Sequence, residues 1–129
     1  MAESKIERYL IDLMLSYRDL GDNMWIIEDE DRSLNGVVIA YTHPLVIIRV
    51  TVMKTPAEKR LELFTKLLEL NATDLVHGAY AVENDAVILI DTLEYETLDY
   101  EEFRASLDAI SLALTQHYPI LSQYMVHTT

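Results

Sequence analysis

Residues 67–110 read "LLELNATDLVHGAYAVENDAVILIDTLEYETLDYEEFRASLDAI", a run that contains a helix end, two strands, a tight acidic turn and a helix start, in that order. Leu67, Leu68 and Leu70 close a periodic leucine pattern, and Asn71 follows directly. Asparagine tolerates left-handed backbone geometry, so it reads as the stop of the helix. The next two segments, "LVHGAYAV" (75–82) and "AVILIDTL" (86–93), have the composition of strands, and Glu83, Asn84 and Asp85 between them make a connection of hairpin length. Gly78, inside the first of these strands, marks a bulge or the close approach of another backbone. Asp99 with Glu102 three residues later is a capping box. The helix it opens carries Phe103, Leu107, Ile110 and Leu114 on one face, and Pro119 should end or kink it.

Upstream, "TPAEKRLELFTKLLELN" (55–71) opens with Thr55 as N-cap, Pro56 at the first helical position and Glu58 completing the cap. Ala57, Leu61, Phe64 and Leu68 form its predicted core stripe, and Leu63, Leu67 and Leu70 a shoulder beside that stripe. Before it lie three predicted strands, "MWIIED" (24–29), "GVVIAYT" (36–42) and "LVIIRVTVM" (45–53). In the last of them Val46, Ile48, Val50 and Val52 share one face, which fits a sheet with one dry side. The chain begins with an amphipathic pattern over 6–20, with Ile6, Tyr9, Leu10, Leu13, Met14, Tyr17 and Leu20 on one side and Gly21 as terminator. Ile11 and Leu15 project away from that stripe among Glu7, Arg8, Asp12, Arg18 and Asp19.

The order α-β-β-β-α-β-β-α predicts an α+β fold, an antiparallel β-sheet of about five strands packed with helices. A parallel dinucleotide-binding sheet would need strands alternating with helices. At 129 residues, with no repeat and no linker, the chain is expected to be a single domain over 1–129.

Composition excludes several functions. The absence of cysteine removes disulfides, thiolate metal sites and thiol nucleophiles. A net charge of -12 with no basic cluster argues against nucleic acid. The start "MAESKIERYLID" lacks the features of a secretory signal, and no apolar run approaches the roughly 20 residues that span a bilayer. The cytoplasm is the expected location, where the acceptor motif at Asn71, Ala72 and Thr73 has no meaning for glycosylation.

No phosphate-binding loop is formed by Gly21, Gly36 and Gly78, which lie far apart. The four histidines, His43, His77, His117 and His127, show no metal-ligand spacing. The acidic run 28–31 fails as a calcium loop, because Leu34 and Ala40 stand where glycine and glutamate are needed. No serine sits in a nucleophile elbow, so neither catalytic residues, nor a metal, nor a cofactor is assigned.

The stretch 67–110 resembles the type III secretion chaperone-like superfamily, including the CesT-type chaperones and the YbjN family. The likeness is carried by Leu70 and Asn71, by Gly78, Tyr80 and Val82, by the Asn84 and Asp85 turn, by Val87 and Leu89, and by Leu93, Leu98, Phe103 and Leu107. It departs at Ala86, where family hairpins often carry glycine. The resemblance implies a small acidic cytoplasmic homodimer that binds a protein or peptide partner without catalysis, by strand addition and apolar grooves. The candidate partner contacts are then Ile11 and Leu15 on the first helix and Trp25 and Ile27 on the first predicted strand. The candidate dimer interface is Leu63, Leu67, Leu70, Gly78 and Tyr80. A regulatory or sensory module binding a small ligand between sheet and helices is the alternative, and an apolar pocket with convergent polar groups would favour it.

Overall fold

The computed structural model describes residues 4–125. Its first helix, α1 (Lys5–Asp12), is capped by the Ser4 hydroxyl, which accepts from the Glu7 amide at 3.0 Å. The helix stops well short of the predicted residue 20. Met14 takes a left-handed φ of 58°, the chain reverses, and Tyr17–Gly21 becomes a strand, β1. It pairs with β2 (Met24–Asp29), setting Tyr17 opposite Ile27 and Asp19 opposite Trp25. Between them Asp22 and Asn23 both have positive φ, the geometry of a two-residue hairpin turn that matches strand twist. "GDN" therefore reads correctly as a hairpin and not as a helix terminator.

After a short 3-10 turn, β3 (Leu34–Thr42) and β4 (Leu45–Lys54) follow, joined across a cis His43–Pro44 bond. Then come α2 (Arg60–Thr73), β5 (Ala79–Glu83), β6 (Ala86–Glu94) and α3 (Tyr100–Leu121). The strands make one antiparallel sheet of six, in the order β1-β2-β3-β4-β6-β5. The fold class is the predicted α+β, with β1 as the additional strand.

One face of the sheet holds the core. Trp25, Ile27, Ile39, Val46, Ile48 and Leu89 point into it and meet Ile6 and Leu10 of α1, Leu63 and Leu67 of α2, and Phe103 and Leu107 of α3. A β-bulge between Thr51 and Met53 shifts the alternation, so Met53 takes the core position predicted for Val52. α1 is pinned over one end of the sheet by Lys5, whose ammonium donates to the carbonyls of Tyr95 at 2.6 Å and Leu98 at 3.0 Å.

α2 differs from its prediction at both ends and in its facing. Thr55 does not cap it: the Thr55 amide donates to the Asp85 carbonyl at 2.9 Å, tying residue 55 to the β5–β6 turn, and helical geometry begins only at Arg60. Leu63, Leu67 and Leu70 are buried against the sheet, whereas Leu61 and Leu68 stand 82% and 68% exposed. The helix carries two apolar stripes, and periodicity alone does not say which one meets the core.

Asn71 lies inside α2 and does not end it. Its side-chain carbonyl accepts from the Tyr80 amide at 2.7 Å and its NH2 donates to the Tyr80 carbonyl at 3.2 Å. Both backbone groups that Tyr80 turns away from β6 are thereby satisfied at a sheet edge. Gly78 precedes β5 instead of lying within it, with φ +81°, and a Cβ there would sit 2.9 Å from the Ile90 carbonyl oxygen. The close approach inferred from this glycine is to the chain's own β6.

Tyr80 is held at its other end as well. Its hydroxyl lies 2.7 Å from Nδ1 of the buried His117, and His117 Nε2 lies 3.1 Å from the Asp74 carboxylate. In the neutral imidazole the carboxylate accepts the Nε2 hydrogen bond, and Nδ1 is left to accept from the phenol. Burial pushes the Tyr80 phenol above its ordinary range, and the Asp74 charge adds to the shift. The phenol therefore stays protonated. This chain of groups connects the end of α2, β5 and α3, and α3 runs on through Pro119 to Leu121.

Asn71→Ala should lose about 1–3 kcal/mol of unfolding free energy in denaturant titration, because it strands two backbone groups of Tyr80. Asp74 supplies a pH test. Hydrogen bonds from Thr73 and then His117 hold its carboxyl below the usual value of 3.8. A depressed folded-state pKa gives stability that is present above the unfolded value and lost as pH falls through the folded one. The stability difference between the native chain and Asp74→Asn should hold steady above the unfolded value and shrink as pH falls from there through the folded one, followed by urea unfolding at successive pH values.

Candidate partner-binding surfaces

Because α1, α2 and α3 supply the core from one side, the other face of the sheet is left without a covering layer among the described residues. Cross-strand register places its side chains in rows. Ile26, Val38, Arg49, Ile90 and Ala79 form one row, and Met24, Ala40, Ile47 and Thr92 the next. All but Thr92 are half-buried, and none of the apolar ones belongs to the core cluster. Strand alternation that gives a dry inner face normally gives a polar outer one. Here the outer face carries isoleucine, valine and methionine instead.

Two ion pairs lie on this face. Arg49 makes an ion pair and hydrogen bond with Glu83, and that contact holds the Glu83 carboxyl below its ordinary range. The pair reaches over the row of Thr51, Ile88 and Ala81, and Ile88 is buried there although it lies outside the core. Arg18 pairs with Glu28 at 2.8 Å nearer the β1 edge.

A second apolar surface lies at the opposite edge. The stripe of α2 that faces away from the sheet presents Leu61 and Leu68, with Phe64 half-buried beside them. Val82 of β5 is 47% exposed, and a shallow groove of about 180 Å³ runs between Phe64, Leu68 and Val82. The charged residues Glu62, Lys66 and Glu69 lie on the other flank of the helix, so the apolar stripe passes without interruption from α2 to the β5 edge.

Of the residues the sequence singled out, Ile11 is 51% exposed at the end of α1, near Met14 at 81%. Leu15, Trp25 and Ile27 are buried in the core. As partner contacts they are corrected: the strand β1 that periodicity missed moves Leu15 inward, and alternation in β2 sends Trp25 and Ile27 beneath the helices while Met24 and Ile26 face out. Leu63, Leu67, Leu70 and Tyr80 are likewise buried within the chain, and Gly78, half-buried, approaches the Ile90 carbonyl of its own β6. The outward-facing residues of α2, Leu61, Phe64 and Leu68, are the stripe the sequence assigned to the core. Alternation in β2, β3 and β4 was the signal for Ile26, Val38 and Ile47, since each strand is apolar on both faces.

Among the described residues no cluster of three or more His, Cys, Asp or Glu is placed to hold a metal ion, and no helix is long and apolar enough to cross a membrane.

No curated protein matches the chain in sequence. Solved structures with the same arrangement are numerous. YbjN from E. coli, a candidate transcription regulator, superposes with a TM-score of 0.69 at 16% identity, over 95% of this chain and 94% of that one. The heterodimeric ExoU–SpcU complex from the type III secretion system of Pseudomonas aeruginosa gives 0.65 at 12% identity, over 92% and 98%. The HopA1–SchA chaperone–effector complex gives 0.60 at 7% identity, over 84% and 85%. At these identities the likeness is one of fold, which is type III secretion chaperone-like. The CesT_Tir_1 family model matches residues 2–127, and the chain belongs to that family.

Proposed function

We propose that this protein holds a segment of a partner polypeptide on its open sheet face, without catalysing a reaction, and that it does so in the cytoplasm as a homodimer joined through the α2–β5 stripe. The observation that carries the reading is the uncovered apolar face of Met24, Ile26, Val38, Ile47 and Ile90. Covering one such side chain is worth about 1.5–3 kcal/mol when burial is complete, and roughly half as much from a half-buried start. A partner segment that covers several of them gains enough to offset its own ordering. Membership of a chaperone-type family and the complexes formed by proteins of the same fold support a polypeptide as the occupant.

The dimer rests on Leu61, Phe64 and Leu68. An uncharged stripe on the outside of a helix, in a chain of net charge -12, is costly to expose and suits a self-complementary contact across a two-fold axis.

A photo-crosslinking side chain placed at Ile47 or Ile90 should trap a polypeptide in cells, while the same group at Leu112, exposed on α3, should not. Equal trapping at all three positions would remove the open face from the reading. Leu61→Glu combined with Leu68→Glu should leave the far-ultraviolet spectrum unchanged and convert the dimer to a monomer in sedimentation velocity. Unchanged sedimentation would place the contact elsewhere.

A further inference from the structure

We propose that the cleft between the end of β4 and the start of α2 is a binding site for a small amphipathic anion, an apolar body that carries a carboxylate. The cleft encloses about 650 Å³, within the range of small-ligand pockets. Met53, Pro56, Ala57 and Met125 give it apolar walls.

Three polar features converge on it. Thr55 forms part of the wall; the residue is 5% exposed, and its hydroxyl, turned into the wall and closed off from the cleft, has no hydrogen-bond partner among the described residues. A buried donor left unmade is costly, and native structures rarely keep one without use. A step of about 120° between staggered wells at χ1 would move that hydroxyl, and a ligand oxygen is the acceptor the chain does not supply. The second feature is the N-terminus of α2, a helix of 14 residues: Lys59 at its cap is left-handed and provides no side-chain hydrogen bond. Arg60, the first residue of that helix, lines the cleft, and the positive end of the helix dipole favours an anion near it. The third is charge. Lys54 and Arg60 line the cleft against one carboxylate, Asp85, which lies 3.2 Å from the Arg60 guanidinium. In a chain of net charge -12 a cleft with a cationic excess is a local inversion of sign. Arg60 has five donors, so its contact with Asp85 leaves others to receive a second carboxylate.

Apolar walls with a neutral rim would suit a hydrocarbon, and a cationic rim alone would suit inorganic phosphate. The two together select a molecule with both parts. The site lies apart from the open sheet face and does not depend on the polypeptide reading.

Decanoate titrated into the full chain tests it, with the methyl resonances of Met53 and Met125 followed by NMR. Saturable shifts at both methyls with a Kd at or below about 1 mM are expected, with decanol weaker by at least about tenfold. Thr55→Val should keep or raise Tm, since it removes the unpaired hydroxyl, yet weaken decanoate severalfold. Arg60→Glu should abolish binding, and Ala57→Trp should block it by filling the cleft. Four results would overturn the proposal. These are no saturable shift, decanol binding as tightly as decanoate, shifts led by Ile47 and Ile90 on the open face, or sedimentation with phosphatidylglycerol vesicles while monomeric decanoate gives no response.

Discussion

Tyr80 is the residue on which the arrangement of α2, β5 and α3 depends. Its amide and carbonyl are held by Asn71, its ring lies in the core, and its hydroxyl is bonded to His117, which in turn is bonded to Asp74. β5 has only five residues and a neighbour on one side alone, so its place in the sheet rests on β6 and on these side chains. Fixing Tyr80 fixes the distance between the end of α2 and β5, and hence the angle at which α2 lies on the sheet. That angle decides which of the two leucine stripes is buried. It also decides that the other stripe faces outward, and that the start of α2 stands off from the end of β4, where the cleft lies.

The second constraint is the sidedness of the sheet. Three helices cover one face, and six strands provide two faces of nearly equal apolarity. A polar outer face would have made the unit self-sufficient. The chain instead relies on ion pairs, Arg49 with Glu83 and Arg18 with Glu28, to break up an apolar surface without removing it. Such pairs contribute little to stability where they are exposed. Their value lies in solubility.

The fold class was legible because its signals were local and redundant. The capping of α3 by Asp99, the hairpin at Asn84 and Asp85 and the alternation of β3 and β4 each stand on a few neighbouring residues. Two things were not legible. β1 was hidden because Tyr17 and Leu20 continue the spacing of α1 by chance, and only the left-handed Met14 and the Asp22–Asn23 turn distinguish a strand from a helix end. The facing of α2 was hidden because burial is a property of the assembled molecule: Leu61, Phe64 and Leu68, and Leu63, Leu67 and Leu70, are both spaced in steps of three and four, and each makes a helical stripe. The surface residues inherited that error. Trp25 reads from sequence as exposed and apolar, but alternation in β2 puts its large apolar ring in the core.

The Asn71 clamp bears on how copies of this sheet can meet. A sheet with two equivalent free edges can pair head to tail without limit, since each added copy offers a fresh edge. In this molecule the β5 edge is occupied by its own asparagine at Tyr80, and β1 is the other terminal strand. One amide group thus closes the β5 edge to backbone pairing at Tyr80, the residue on which the strand's own position rests.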